Sequence, residues 1–131
     1  MRNAAREAAL NIVFAQQFGT ENDDAFKKKI FKQFNLEKEE DVRFALNLVT
    51  TVEQNKQALI AGIEAACHHY LENRLNPMDK SILLIAMAEI MYFDEIPPVV
   101  SVHEATGLAR KYSSEKGIDF VNGVLAGVIN K

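Results

Sequence analysis

Few residues in this chain have the type and spacing to do chemistry, and the spacing decides what most of them can do. Cys67-His68-His69 places three metal-binding side chains in a row. Successive helical residues point about 100° apart, so these three cannot converge on one ion, and no second ligand pair accompanies them. The remaining histidine, His103, is solitary. Cys67 falls on an apolar helix face with no activating base in the sequence pattern, which argues against a nucleophile. There is no glycine-rich phosphate loop and no nucleophile–base pair by sequence. The expectation is no metal, no cofactor, no catalytic residue and no enzyme.

The charged residues offer binding rather than catalysis. Arg2 and Arg6 lie four apart at the start of a helix and share a face. Cations gain nothing at the positive end of a helix dipole, so their placement invites a binding role, although a solvated helix end would look the same. Lys27, Lys28, Lys29 and Lys32 form a basic run without interleaved aromatics for base stacking, and read as a solvated face. Glu89 sits inside an apolar run, where a charge needs a partner or an opening to solvent. An internal ion pair would satisfy it, and so would a docking contact with another macromolecule.

The elements that must position these residues are all helical. Apolar residues recur at three and four rather than two, and strand signals are almost absent. The organising stretch is Asp79 to Phe93, apolar on nearly every side from Ile82 onward. It is too short and too charged to span a bilayer, so the other helices must cover it. Asn76 caps it and Pro77 takes its first position. Around it the pattern predicts helices from Asn3 to Phe18, stopped by Gly19, and from Asp23 to Phe34. A third helix, capped by Asn35, breaks near Gln54-Asn55 from a fourth that turns Leu59, Ile63, Cys67, Tyr70 and Leu71 inward. Ser101 to Glu104 reads as a capping box opening a sixth helix, which ends near Tyr112. Gly117 is expected to break the chain before a last helix from Asp119 to about Ile129, and mid-helix Gly123 to mark a close helix approach.

The totals fit one domain spanning residues 1–131. A net charge of −3 opposes bulk attraction to polyanions, so any nucleic acid would need a local basic patch. The single cysteine excludes an internal disulfide, and the N-terminus lacks the apolar core of a signal peptide. A cytoplasmic protein without a membrane segment is expected.

Three groups of residues, in order along the chain, resemble the NusB family of bacterial transcription antitermination factors. They are Ala5 to Leu10 (AREAAL); Arg74-Leu75 with Met78-Asp79-Lys80 and the apolar helix bearing Glu89; and Ile96-Pro97 followed by Val102, Glu104-Ala105, Leu108-Ala109, Lys111-Tyr112 and Phe120 to Leu125 (FVNGVL). The resemblance implies an all-α bundle of about seven helices, in two three- or four-helix halves around the buried central helix. It implies a non-catalytic role: binding the boxA element of nascent ribosomal RNA with a small-subunit ribosomal protein, NusE, on the RNA polymerase elongation complex. Carried over residue by residue, Arg2 and Arg6 would touch RNA, and Phe14, Tyr112 and Phe120 would support base contacts. Lys111 and Lys116 would extend the patch if the fold brings them beside Arg2. Arg74, Lys80 and Glu89 would face the protein partner. Many relatives carry consecutive arginines where Asn3, Ala4 and Ala5 stand here, so this chain alone should bind RNA weakly. The same resemblance admits homodimers, and an rRNA methyltransferase's RNA-binding domain, which no cofactor-binding domain follows here. A helical protein-binding adaptor with little RNA affinity is the alternative.

Overall fold

The computed structural model describes residues 2–19, 23–67 and 75–130. Among them there are six helices and no strand: α1 (Asn3–Gln16), α2 (Asp24–Gln33), α3 (Glu39–Cys67), α4 (Pro77–Tyr92), α5 (Pro98–Tyr112) and α6 (Glu115–Ile129). The apolar stretch becomes α4, and every residue from Ser81 to Glu89 is buried. It packs against α1, α3, α5 and α6, so it is shared by an α1–α3 half and an α5–α6 half. The Asn76 side chain accepts the amides of Met78 and Asp79, and Pro77 opens the helix. No helix among the described residues is long and apolar enough to cross a membrane.

The difference between six helices and about seven lies at Asn55. Its φ of −125° and ψ of 21° are non-helical and kink α3 where a break was expected. The Asn55 side-chain Nδ2 donates back to the Thr51 carbonyl at 2.9 Å, which braces the bend.

Other expectations are corrected at helix ends. Asn35 does not cap α3. It adopts a left-handed φ of 56° after α2, with its amide on the Lys32 carbonyl and the Leu36 amide on the Phe31 carbonyl. That is a Schellman ending, which asparagine tolerates better than other side-chain-bearing residues. Ser101 does not open α5, which starts three residues earlier at Pro98; no capping box forms. Gly117 does not break a helix, because Ser114 caps α6 and accepts the Gly117 amide at 3.0 Å. A Cβ there would lie 1.8 Å from Ser113 Oγ and 2.9 Å from Asp79 Oδ2, so any larger residue must displace these side chains. Gly123 shows the reverse, with nothing within 4 Å of an added Cβ. The close approach expected at Gly123 occurs at Gly117.

Candidate functional site

The two residues assigned to different surfaces are bonded to each other. Arg6 lies on the inner face of α1, and its Nε and Nη2 meet Glu89 Oε2 and Oε1 of α4 at 2.7 and 2.9 Å. Ser101 of α5 donates to Glu89 Oε1 at 2.9 Å, and Glu104 Oε1 stands 3.7 Å from Arg6 Nη1. Arg6 is 5% exposed and Glu89 1%. A bidentate guanidinium–carboxylate pair with a third donor satisfies the buried charge that the apolar run left open. Direct RNA contact by Arg6 and direct partner contact by Glu89 are therefore corrected, because each charge is committed to the other and only an edge of Arg6 opens, into hollows it shares with Arg2 and Lys111. The pair ties α1, α4 and α5 together at one end of the bundle.

Arg2 is the exposed member of the expected arginine pair. Its guanidinium stacks over Phe44 of α3 at 4.4 Å, and Arg6 approaches the same ring at 5.3 Å. Phe93 braces Phe44 edge-on, with centroids 5.7 Å apart. A cation over an aromatic face keeps its charge available while losing conformational freedom. Acids stand near Arg2: Glu40 and Asp41 line one hollow with it, and Glu95 and Glu104 line another. Phe44 was absent from the expected functional set, although its four-residue spacing to Leu48 and Val52 placed it on the inner face of α3.

The strip continues along α1. Asn3, Glu7, Asn11, Phe14 and Phe18 follow one another at helical spacing of three or four. Lys111 and Tyr112, from the end of α5, reach this strip at Glu7. Lys111 Nζ lies 2.6 Å from Glu7 Oε2, and the Tyr112 hydroxyl donates to the same oxygen. Asn11 Nδ2 donates to the Tyr112 hydroxyl oxygen at 3.4 Å. Burial first, then the hydrogen bond to Glu7, pushes the Tyr112 phenol above its ordinary value. The same carboxylate raises Lys111. Lys111 shares a hollow with Asn3 and Arg6, so it does lie beside the start of α1. Phe14 is half-buried, and its ring meets the exposed Phe18 ring edge-on at 5.0 Å.

Lys116 falls elsewhere. With Phe120, one turn along α6, it lines a hollow that includes Asn76 and Asp79 at the opposite end of α4 from Arg2. Asp79 is buried there and accepts the Ser113 hydroxyl at 2.6 Å. At 1.5 Å per residue, α4 separates Arg2 from Lys116 by roughly 20 Å. The cations thus form no single patch: Arg2 and Lys111 stand beside the start of α1, and Lys116 stands at the other end of α4. Lys80 is half-buried on the first turn of α4, whereas Arg74 lies outside the described residues. Glu7, which sequence reasoning missed, bonds both Lys111 and Tyr112; its position four residues after Asn3 and four before Asn11 was the available signal.

The triplet set aside as a metal site is represented here by Cys67 alone, since His68 and His69 lie outside the described residues. Burial, and then Glu64, pushes the Cys67 thiol above its ordinary value, away from the reactive thiolate.

Comparison with known proteins places these elements in a family. The sequence profile of the NusB family matches residues 3–130. The chain is 34% identical over 132 residues to the transcription antitermination protein NusB of Natranaerobius thermophilus, covering 99% of this chain and 95% of that protein. It is 36% identical over 130 residues to the protein of the same name in Clostridium novyi, covering 98% and 97%. Among solved structures, one of the antitermination factors NusB and NusE in complex with double-stranded RNA superposes with a TM-score of 0.86 at 25% identity, covering 98% of this chain and 96% of that one. The NusB of T. maritima gives a TM-score of 0.86 at 22% identity, covering 100% and 92%, which shows the shared fold.

Proposed function

The chain belongs to the NusB family, and from that premise we propose that it is a transcription antitermination factor. It binds boxA-type RNA of nascent ribosomal transcripts together with the ribosomal protein NusE, within the RNA polymerase elongation complex. The observation that carries this reading is the family match over residues 3–130. The 25% identical relative solved with NusE and double-stranded RNA supports the choice of partners.

On this reading Arg2, Lys111 and Lys116 meet phosphates along the strip, and Phe14, Tyr112 and Phe120 offer ring surface to bases. Arg6 and Glu89 act beneath the strip, holding α1 and the Phe44 ring under Arg2. Three cations give a salt slope near 2 for single-stranded RNA, at roughly 0.7 per phosphate contact. Opposing this are a net charge of −3 and the carboxylates around Arg2. The chain alone therefore binds RNA weakly, and NusE, docked along the approach to α4 near Lys80 and Arg74, supplies much of the affinity.

The burial of Arg6 favours a second reading, a protein-binding adaptor, because it leaves Arg2 as the one N-terminal arginine at the surface. One titration separates the two. A boxA-type RNA and a scrambled control are titrated with and without NusE at two salt concentrations, against wild type and an Arg2→Ala/Lys111→Ala/Lys116→Ala variant. Selective, salt-sensitive binding that NusE strengthens and the triple variant loses is expected. NusE binding without any discrimination between the two RNAs would make the adaptor reading correct.

A further inference from the structure

The lysine run on α2 borders a groove. Between α2 and the start of α3 the surface opens into a cleft of about 390 Å³. Its floor is Phe31, Leu36 and Val42, and Lys28 and Lys32 stand on its α2 rim. The Schellman ending creates it: the Leu36 amide bonds back to the Phe31 carbonyl at 2.9 Å and folds Leu36 across the last turn of α2. Leu36 and Val42 are half-buried, so apolar surface remains open to a ligand.

The charge on the rim is available. Lys27 turns inward to Glu53 at 3.5 Å, whereas Lys28, Lys29 and Lys32 are exposed and have no acidic partner among the described residues. Four of the chain's fifteen cations stand within six residues on a molecule whose net charge is −3. Nucleic acid fits the floor poorly, because the Phe31 ring is 6% exposed and offers no face for stacking.

We propose that this groove docks an acidic amphipathic segment of a partner protein. Apolar side chains at helical spacing rest on the half-buried Leu36 and Val42, and carboxylates meet Lys28 and Lys32, which lie one turn apart. Glu37 lines the other side of the mouth and repels a carboxylate there, so the segment's acidic edge faces α2. Asn35, exposed at the mouth, offers amide donors and an acceptor to the segment's backbone.

The test uses four labelled probes with the full chain: a Glu-rich helical peptide with leucines three and four apart, the same peptide with serines for leucines, a lysine version of the first, and a poly(U) oligonucleotide. Binding is read by anisotropy and by amide chemical shifts. The acidic leucine peptide is expected to shift the amides of Phe31, Asn35, Leu36 and Val42. Its affinity should fall at least about fivefold in Lys28→Glu/Lys32→Glu and less in Lys28→Gln/Lys32→Gln, with circular dichroism unchanged. The serine and lysine peptides should not bind, and Arg2→Ala should leave the acidic peptide unaffected, which separates this groove from the RNA strip. Absence of shifts, equal binding of the serine peptide, or poly(U) occupying the same amides as tightly would each overturn the proposal.

Discussion

Truncating Arg6 should cost folding stability far more than it costs RNA binding. Arg6→Ala strips Glu89, 1% exposed in the wild type, of its two guanidinium bonds and leaves the Ser101 hydroxyl as its one protein donor. Removing one member of a buried pair typically costs about 3–5 kcal/mol, because the other is left charged and dry. A domain of this size has roughly 5–15 kcal/mol in total, so the loss is about a fifth of it at least and near two-fifths at the middle of both ranges. It corresponds to a midpoint lowered by roughly 10–18 °C. Urea denaturation of wild type, Arg6→Met, Glu89→Gln and the double variant closes a cycle, and the coupling should be about 1–3 kcal/mol. The double variant should therefore be more stable than the sum of its parts predicts. RNA titrations of whatever folded Arg6→Ala remains at low temperature supply the second readout, and the salt slope should stay unchanged. A stability loss under about 1 kcal/mol, with a slope lower by about 0.7, would show that this guanidinium faces phosphate and would refute the reasoning.

Three further outcomes follow from particular contacts. Glu7→Gln removes a negative charge from the strip and frees Lys111 from its ion pair, so RNA affinity should rise severalfold while the salt slope stays near 2; unchanged binding would place the RNA elsewhere. Tyr112 is held above its ordinary value by burial and by Glu7, so the folded protein keeps that proton longer than the unfolded chain. Its contribution is complete below about pH 10 and is lost as pH rises through the folded value, so denaturation midpoints of wild type and Tyr112→Phe should converge only under alkaline conditions. Two of the three glycines of α6 should respond with opposite signs. Gly117→Ala must displace Ser113 or the Asp79 carboxylate and should cost about 1–3 kcal/mol, while Gly123→Ala meets open space and should stabilise by about 0.8–1 kcal/mol.

What was legible in the sequence depended on how local the deciding interaction was. The core helix could be read because nine successive buried residues leave no polar face, and its start because Asn-Pro is a capping signal within one turn. The break in α3 could be read because Asn55 interrupts an otherwise regular apolar period. Ser101 misled because Ser-x-x-Glu is also satisfied by a residue one turn inside a helix, when a carboxylate from another helix takes the hydroxyl. Gly117 and Gly123 were exchanged because the close approach at Gly117 depends on Asp79, 38 positions away, holding the Ser113 hydroxyl against the turn as well as on Ser113 itself.

The same limit explains the candidate site. Arg6 and Glu89 each looked anomalous where they stand, one a cation at the positive end of a helix and the other a charge in an apolar run. Each anomaly invited its own ligand, and 83 positions of separation concealed that each is the other's ligand. A charge that local physics disfavours is evidence of a partner, but it does not say whether the partner is inside the fold. Only exposure distinguishes the two, and it leaves Arg2, Lys111 and Lys116 at the surface while removing Arg6 and Glu89. The buried pair then takes a positioning role. By fixing the start of α1 against α4 and stacking beside Arg2 on Phe44, it sets where the one exposed N-terminal arginine stands.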